Sequence, residues 1–299
     1  MTVCIAEKAV SADFLATKRT AWLLLVVLLL GLSACQSVPR KPFHVQGIVW
    51  QPHQGAPDPR GNWHKLGAEQ LLVQWSVVDG IAYVPVEEGR QSETGPDWRR
   101  IAREPWAQSI VLGLAGRFDT HLARTQGAEL SRQSLGIATS LSGQSGAIKV
   151  SAWYFPIEVD PSWAGATQMR EWLAPLPRPL WVSVFDHQHL GPAAFSAFVS
   201  TWLPDDVGVF FQDGVGLHVR EAAVAREYLD ALRNRFGPER VKVIAEVFRP
   251  NPGGGFRSAT AEEIRSQLPV YDSYPIFLFD GPTYLPGSLV EELLTPAVR

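Results

Sequence analysis

The stretch Val241-Lys-Val-Ile-Ala-Glu246 decides the reading of this chain. Apart from Lys242 its residues up to Ala245 are apolar without helical spacing, valine and isoleucine dominate, and it is too short to be a helix. A helical pattern over Val219 to Phe236 precedes it and a Pro- and Gly-rich stretch from Pro250 to Gly255 follows it. A short apolar run flanked by a helix and a loop is the mark of a parallel strand covered on both faces. The same signature recurs outward along the chain, at Gly47 to Trp50, Gln70 to Trp75, Ser109 to Leu114, Ile148 to Tyr154, Leu180 to Phe185, Val207 to Gln212 and Tyr274 to Phe279. Helical patterns lie between these runs, over Trp63 to Gln70, Asp97 to Gln108, His121 to Ser142, Ser162 to Leu173, Gly191 to Trp202 and Ala259 to Gln267, with Ser288 to Leu294 closing the series. Eight strands alternating with helices predict an α/β fold, a single (β/α)8 barrel, with a doubly wound sheet of eight strands as the alternative that periodicity alone leaves open.

In a barrel of this kind chemistry belongs at the C-terminal ends of the strands, and nearly every predicted strand ends in a polar residue. Gln51 and Gln74 close the first two, Arg117 and Asp119 follow the third, Glu158 closes the fourth, Asp186 and His187 the fifth, Gln212 and Asp213 the sixth, Glu246 the seventh and Asp280 the eighth. Asp186 and Asp280 are equally well explained as turn residues. Glu158 and Glu246 differ, because each sits in an otherwise apolar segment where a carboxylate is either paired or functional. For Glu246 the structural alternative is a salt bridge to Arg249 or Arg117. Two carboxyls able to reach one barrel mouth are what glycoside hydrolysis requires, one protonated and one ionised.

Trp153-Tyr-Phe-Pro-Ile-Glu158 and Val241-Lys-Val-Ile-Ala-Glu246 place glutamates at the ends of strands four and seven, which resembles a large clan of glycoside hydrolases built on (β/α)8 barrels. The resemblance implies acid/base chemistry for Glu158 and a nucleophilic role for Glu246. It departs from the clan's Asn-Glu-Pro run, since Ile157 and Val159 flank Glu158. The segments Gly47-Ile-Val-Trp-Gln-Pro52, Leu72-Val-Gln-Trp75, Ala152-Trp-Tyr-Phe-Pro-Ile-Glu158 and Phe211-Gln-Asp-Gly-Val-Gly216 are similar to an uncharacterised family of bacterial glycosidase-like barrel proteins, many of them lipoproteins. Asp213 is the third catalytic candidate, either orienting a glutamate or touching sugar hydroxyls; a strand-ending Asx turn is the alternative.

Sugar rings stack their C–H faces on aromatic rings and bond their hydroxyls to fixed polar groups. Trp50, Trp75, Trp153, Tyr154 and Trp163 lie near strand ends, with Gln51, His53, Gln74 and Gln212 as hydroxyl partners; about half of the aromatics are expected to be core only. The substrate-binding set is thus Trp50, Gln51, Gln74, Trp75, Trp153, Tyr154 and Gln212. No phosphate-loop lysine accompanies Gly253-Gly-Gly255, no Gly-x-Ser-x-Gly motif is present, and His187-Gln-His189 lacks the companions of a metal site, so neither cofactor nor metal is expected.

Ahead of the fold, Lys18 and Arg19 lead into the apolar run Ala21 to Gly31 and then Leu32-Ser-Ala-Cys35, the pattern of a bacterial lipoprotein signal. Residues 1–34 are expected to be removed, Cys35 lipidated, and residues 35–43 to tether a barrel over 44–299. An uncleaved anchor is the alternative, but the run falls short of the roughly 20 residues of a full span. Either reading exports the domain. Gln36, with no aspartate after the cysteine, resembles the sorting signal of outer-membrane lipoproteins facing the periplasm. The other cysteine, Cys4, lies in the leader, which leaves the domain without a disulfide. Loss of the leader moves the formal net charge from −3 to −4, too acidic for a nucleic-acid partner. The expected partners are a polysaccharide or oligosaccharide, and the membrane through Cys35. The alternative to a hydrolase is a non-catalytic lipoprotein whose degenerate barrel binds glycan or a protein partner.

Overall fold

In the computed structural model, which describes residues 43–55, 58–142 and 148–295, eight parallel strands close into a barrel. They are β1 (Val45–Trp50), β2 (Gln70–Val73), β3 (Ser109–Gly113), β4 (Val150–Val159), β5 (Leu180–Val184), β6 (Val207–Gln212), β7 (Val241–Glu246) and β8 (Ile276–Phe279). Each pairs with its neighbours in sequence, and β8 returns to β1 through Val45↔Ile276 and Ile48↔Leu278. The barrel reading holds and the doubly wound alternative falls. Cys35, the leader and most of the tether lie outside the described residues.

Strand alternation sorts the core into two compartments. Val49, Leu72, Val111, Tyr154, Trp181, Phe210, Ile244 and Phe277 fill the barrel interior, while Ile48, Trp50, Val73, Leu112, Trp153, Phe155 and Val243 face outward into the layer beneath the helices. Glycines make room for the large interior rings. A Cβ on Gly208 would lie 2.4 Å from the Trp181 indole, and one on Gly47 would lie 2.3 Å from the Phe277 ring. At the other end of the interior from the strand carboxyl termini, the Lys242 ammonium sits 4.2 Å from the centroid of the Trp181 ring.

Several helices are shorter than the sequence predicts, each for a local reason. Trp63 starts only a 3-10 turn to Leu66, ended by Gly67 at φ 105°. The Asp97–Gln108 pattern yields Trp98–Ile101, capped by Asp97 accepting the Arg100 N–H, and then irregular chain through Pro105. The long His121–Ser142 pattern is two helices, Thr120–Thr125 and Gly127–Ser142, broken at Gln126. Two additions were not foreseen. Residues Val77–Val78, Ile81–Ala82, Arg90–Gln91 and Ala115–Gly116 form a small sheet beyond β2 and β3, and Gly253-Gly-Gly255 is the tip of a hairpin pairing Phe248–Pro250 with Phe256–Ser258.

Candidate active site

A cavity of about 180 Å³ opens at the C-terminal ends of the strands, and its lining includes Gln51, Gln74, Trp75, Arg117, Phe118, Tyr154, Glu158, Ser183 and Gln212. Tyr154 and Ile244 are the top of the interior core and form its floor. The Tyr154 hydroxyl donates to Ser183 Oγ at 2.7 Å, and burial holds that phenol well above its ordinary range.

Glu158 reaches this cavity because β4 outruns β5. The ladder pairs Phe155 with Val182 and then Val159 with Val184, so four steps along β4 match two along β5. The surplus falls at Pro156-Ile-Glu158, where Pro156 has no N–H to donate to the ladder. Ile157 is fully buried in the outer layer, which turns Pro156 and Glu158 toward the cavity. The Glu158 carbonyl is held by Arg124, whose Nε and Nη2 donate at 3.3 and 3.1 Å. Its carboxylate accepts from Gln212 Nε2 at 2.5 Å. Burial pushes the Glu158 carboxyl above its usual range, while the Gln212 bond and the nearby Arg124 and His187 favour the charged form.

Glu246, last residue of β7, has the inward parity of Lys242 and Ile244 but lies just behind the cavity wall and is 3% exposed. Its carboxylate accepts the Leu217 N–H at 3.0 Å, and the loop after β6 passes so close above it that a Cβ on Gly216 would sit 2.5 Å from Glu246 Cβ. Neither suspected arginine pairs with it: Arg249 donates to the Glu246 backbone carbonyl at 3.1 Å, and Arg117 lies 3.8 Å from Asp79.

Asp213 faces the opposite way from Gln212, as adjacent strand residues must, and is fully buried beneath the outer helices. Four donors converge on it: the N–H groups of Val215 (3.1 Å) and Glu246 (3.2 Å), Gln267 Nε2 (2.6 Å) and the Tyr271 hydroxyl (2.9 Å). It therefore holds the Glu246 backbone, in keeping with the orienting alternative, and keeps its Asx turn to Val215, while its position away from the cavity corrects the alternative of touching sugar hydroxyls. Burial raises both carboxyls, and Asp213, ringed by donors, is the one that carries the charge. Burial and then that charge push Glu246 up to about 8, so Glu246 holds a proton at neutral pH.

Of the remaining candidates, Gln51, Gln74, Trp75, Tyr154 and Gln212 line the cavity. Trp50 and Trp153 do not. Both point outward into the layer between barrel and helices, where Trp50 meets Trp98 at 6.0 Å, so their expected sugar contact is corrected to a packing role. Asp186 and Asp280 are tied down locally, by Tyr228 at 2.8 Å and Thr283 at 2.7 Å. Arg117, Phe118, Thr120 and Ser183 also line the cavity and were missed as site residues. Ser183 was findable from its parity with Trp181; Arg117, noted only as following the third strand, and Phe118 lie on the loop after it, and Thr120 starts the next helix, where strand periodicity does not reach. Among the described residues no three His, Cys, Asp or Glu side chains are grouped to hold a metal ion.

The fold has a solved counterpart. A candidate alpha-L-fucosidase from Bacteroides thetaiotaomicron VPI-5482 superposes with a TM-score of 0.56 at 12% identity, covering 87% of this chain and 97% of that one. The spore cortex-lytic enzyme SleL of Bacillus cereus aligns with a TM-score of 0.45 at 12% identity, over 84% of this chain and 74% of that one. No protein-family model matches the chain, and no curated protein matches it in sequence. At 12% identity the superposition on the fucosidase structure shows a shared fold and nothing finer.

Proposed function

We propose that this barrel hydrolyses glycosidic bonds in a cell-envelope or secreted polysaccharide, with Glu158 and Glu246 as its paired carboxyls. The observation that carries the reading is Glu158, a carboxyl turned into a cavity at the C-terminal mouth, with Glu246 at the inward-facing end of β7. Glutamine amides and aromatic faces around it suit sugar hydroxyls and ring C–H groups. The charge environment supports the reverse of the clan's division of labour. Glu246, protonated at neutral pH, gives its proton to the leaving glycosidic oxygen as the C–O bond breaks. Glu158, whose charged form Gln212 and Arg124 support against the burial that raises its carboxyl, either forms the bond to the anomeric carbon or takes the proton of an attacking water. Glu246 can act only when the Gly216-Leu217 backbone above it moves aside. Lipidation of Cys35 would hold the barrel at the outer membrane, facing the periplasm and its polysaccharides.

A second reading, a non-catalytic glycan-binding barrel, is favoured by the burial of Glu246 beneath that loop. Turnover of envelope and exopolysaccharide fragments separates the two. Under the hydrolase reading, Glu158→Gln and Glu246→Gln each lower the rate by about 10²–10⁴-fold. A good leaving group rescues Glu246→Gln, and azide rescues Glu158→Ala. Glycan binding without turnover in the wild-type chain, unchanged in both Gln variants, would establish the binding reading.

A further inference from the structure

One cation in the cavity is paired only loosely. Arg117 lines it with a side chain only 17% exposed. Its guanidinium is fixed in place by Nε donating to Gln126 Oε1 at 2.8 Å and Nη1 donating to the Gly116 carbonyl at 3.0 Å. The nearest carboxylate is Asp79, 3.8 Å away and 43% exposed, a loose and solvated contact. Nη2 has no hydrogen-bond partner among the described residues. Among the described residues the carboxylate lining the cavity is Glu158, and it takes its hydrogen bond from Gln212 and its nearby guanidinium from Arg124 instead.

Beside this guanidinium stands an exposed ring. Phe118 is 51% exposed and meets Trp75 edge-on at 4.8 Å. Trp75 in turn is pinned by its indole N–H donating to the Pro52 carbonyl at 2.8 Å. A large apolar ring left in water next to an immobilised, partly desolvated cation is a two-point receptor: the ring takes the C–H face of a sugar and the cation takes a negative substituent on it.

Resting on the hydrolase reading of the same cavity, we infer that Arg117 and Phe118 form a subsite for an acidic glycan, a sugar whose ring lies on Phe118 and whose carboxylate or sulfate accepts from Arg117 Nη2. Arg117 is then a specificity-determining residue: a hydrogen bond to a charged group strengthens binding by about tenfold or more, and a neutral sugar leaves the guanidinium as it is.

Calorimetric titration of the purified full chain tests this with three probes: a trigalacturonate, the same trisaccharide with its carboxyls reduced to alcohols, and a sulfated neutral trisaccharide. The wild-type chain should bind a charged probe about tenfold or more tightly than the reduced one, and the stronger charged probe names the anionic group. Arg117→Gln should erase that preference by weakening only the charged probes, with Arg117→Lys retaining part of it and the melting temperature confirming an intact fold. Equal affinity for charged and reduced probes, an Arg117→Gln loss shared by both, or no binding of either charged probe at millimolar concentration overturns the inference. Turnover is scored separately: hydrolysis of neutral glycans without charge preference defeats the acidic subsite and leaves the hydrolase reading, whereas charge-selective binding without hydrolysis does the reverse.

Discussion

Replacing Glu246 with glutamine should change how stability depends on pH more than it changes stability itself. The buried carboxyl, facing the Asp213 charge, keeps its proton up to about pH 8 in the folded chain, against about 4.3 for an unperturbed glutamate in the unfolded chain. Between those values the folded state binds one proton more than the unfolded state, so stability falls as pH rises across that window; the contribution is fully present below the lower value and gone above the upper. The slope from this group alone approaches about 1.4 kcal/mol per pH unit and flattens as the folded-state carboxyl begins to titrate, which makes roughly 2 kcal/mol between pH 6 and 8. For a chain of this size that corresponds to about 4–8 °C in melting temperature. Glutamine mimics the protonated carboxyl and can still accept the Leu217 N–H, so Glu246→Gln should match the wild-type chain at about pH 4 and exceed it increasingly toward about pH 8. Thermal melts of both proteins at half-unit intervals give the comparison, since other titrating groups are common to both. Parallel curves from pH 5 to 9 would refute the protonated, Asp213-coupled state of Glu246 and the proton-donor role drawn from it.

Two further outcomes follow from single features. Gly216→Ala puts a methyl group 2.5 Å from Glu246 Cβ and 3.0 Å from Phe248 Cε2, so denaturant melts should show a loss of about 1–3 kcal/mol from overpacking. Cys35→Ser should abolish incorporation of labelled palmitate and release the chain from membrane fractions; label retained in the variant would place the anchor elsewhere.

The eight strands were legible because each is a short, nearly continuous apolar run, the pattern forced on any strand buried on both faces. Helix lengths were less so, since Gly67, Gln126 and the irregular chain through Pro105 interrupt patterns that periodicity alone carries forward. At the site, Glu158 was visible as a carboxylate stranded among apolar residues, but the depth of Glu246 was not, because it depends on a loop some 30 residues earlier passing over it. Asp213, Trp50 and Trp153 were misplaced for one reason: each has an inward-facing neighbour, Gln212, Gln51 or Tyr154, and strand geometry sends adjacent side chains to opposite faces. Applied to those pairs, alternation would have separated contact from core. Arg117 and Phe118 offered no such rule, being placed by a small sheet with no strong sequence signal.

The excess length of β4 over β5 separates two kinds of constraint along one strand. Closure of the ring depends on Phe155 and Val159, which are matched across the ladder, whereas the residues between them are matched to nothing there. Within that interval only Ile157 is tied to the core, by its burial in the outer layer, while Pro156 and Glu158 answer to the cavity. One strand thus carries the ring's closure at its matched residues and the cavity's lining at its surplus ones. A change of side chain at Pro156 or Glu158 would alter what faces the cavity and leave the pairing that closes the ring in place.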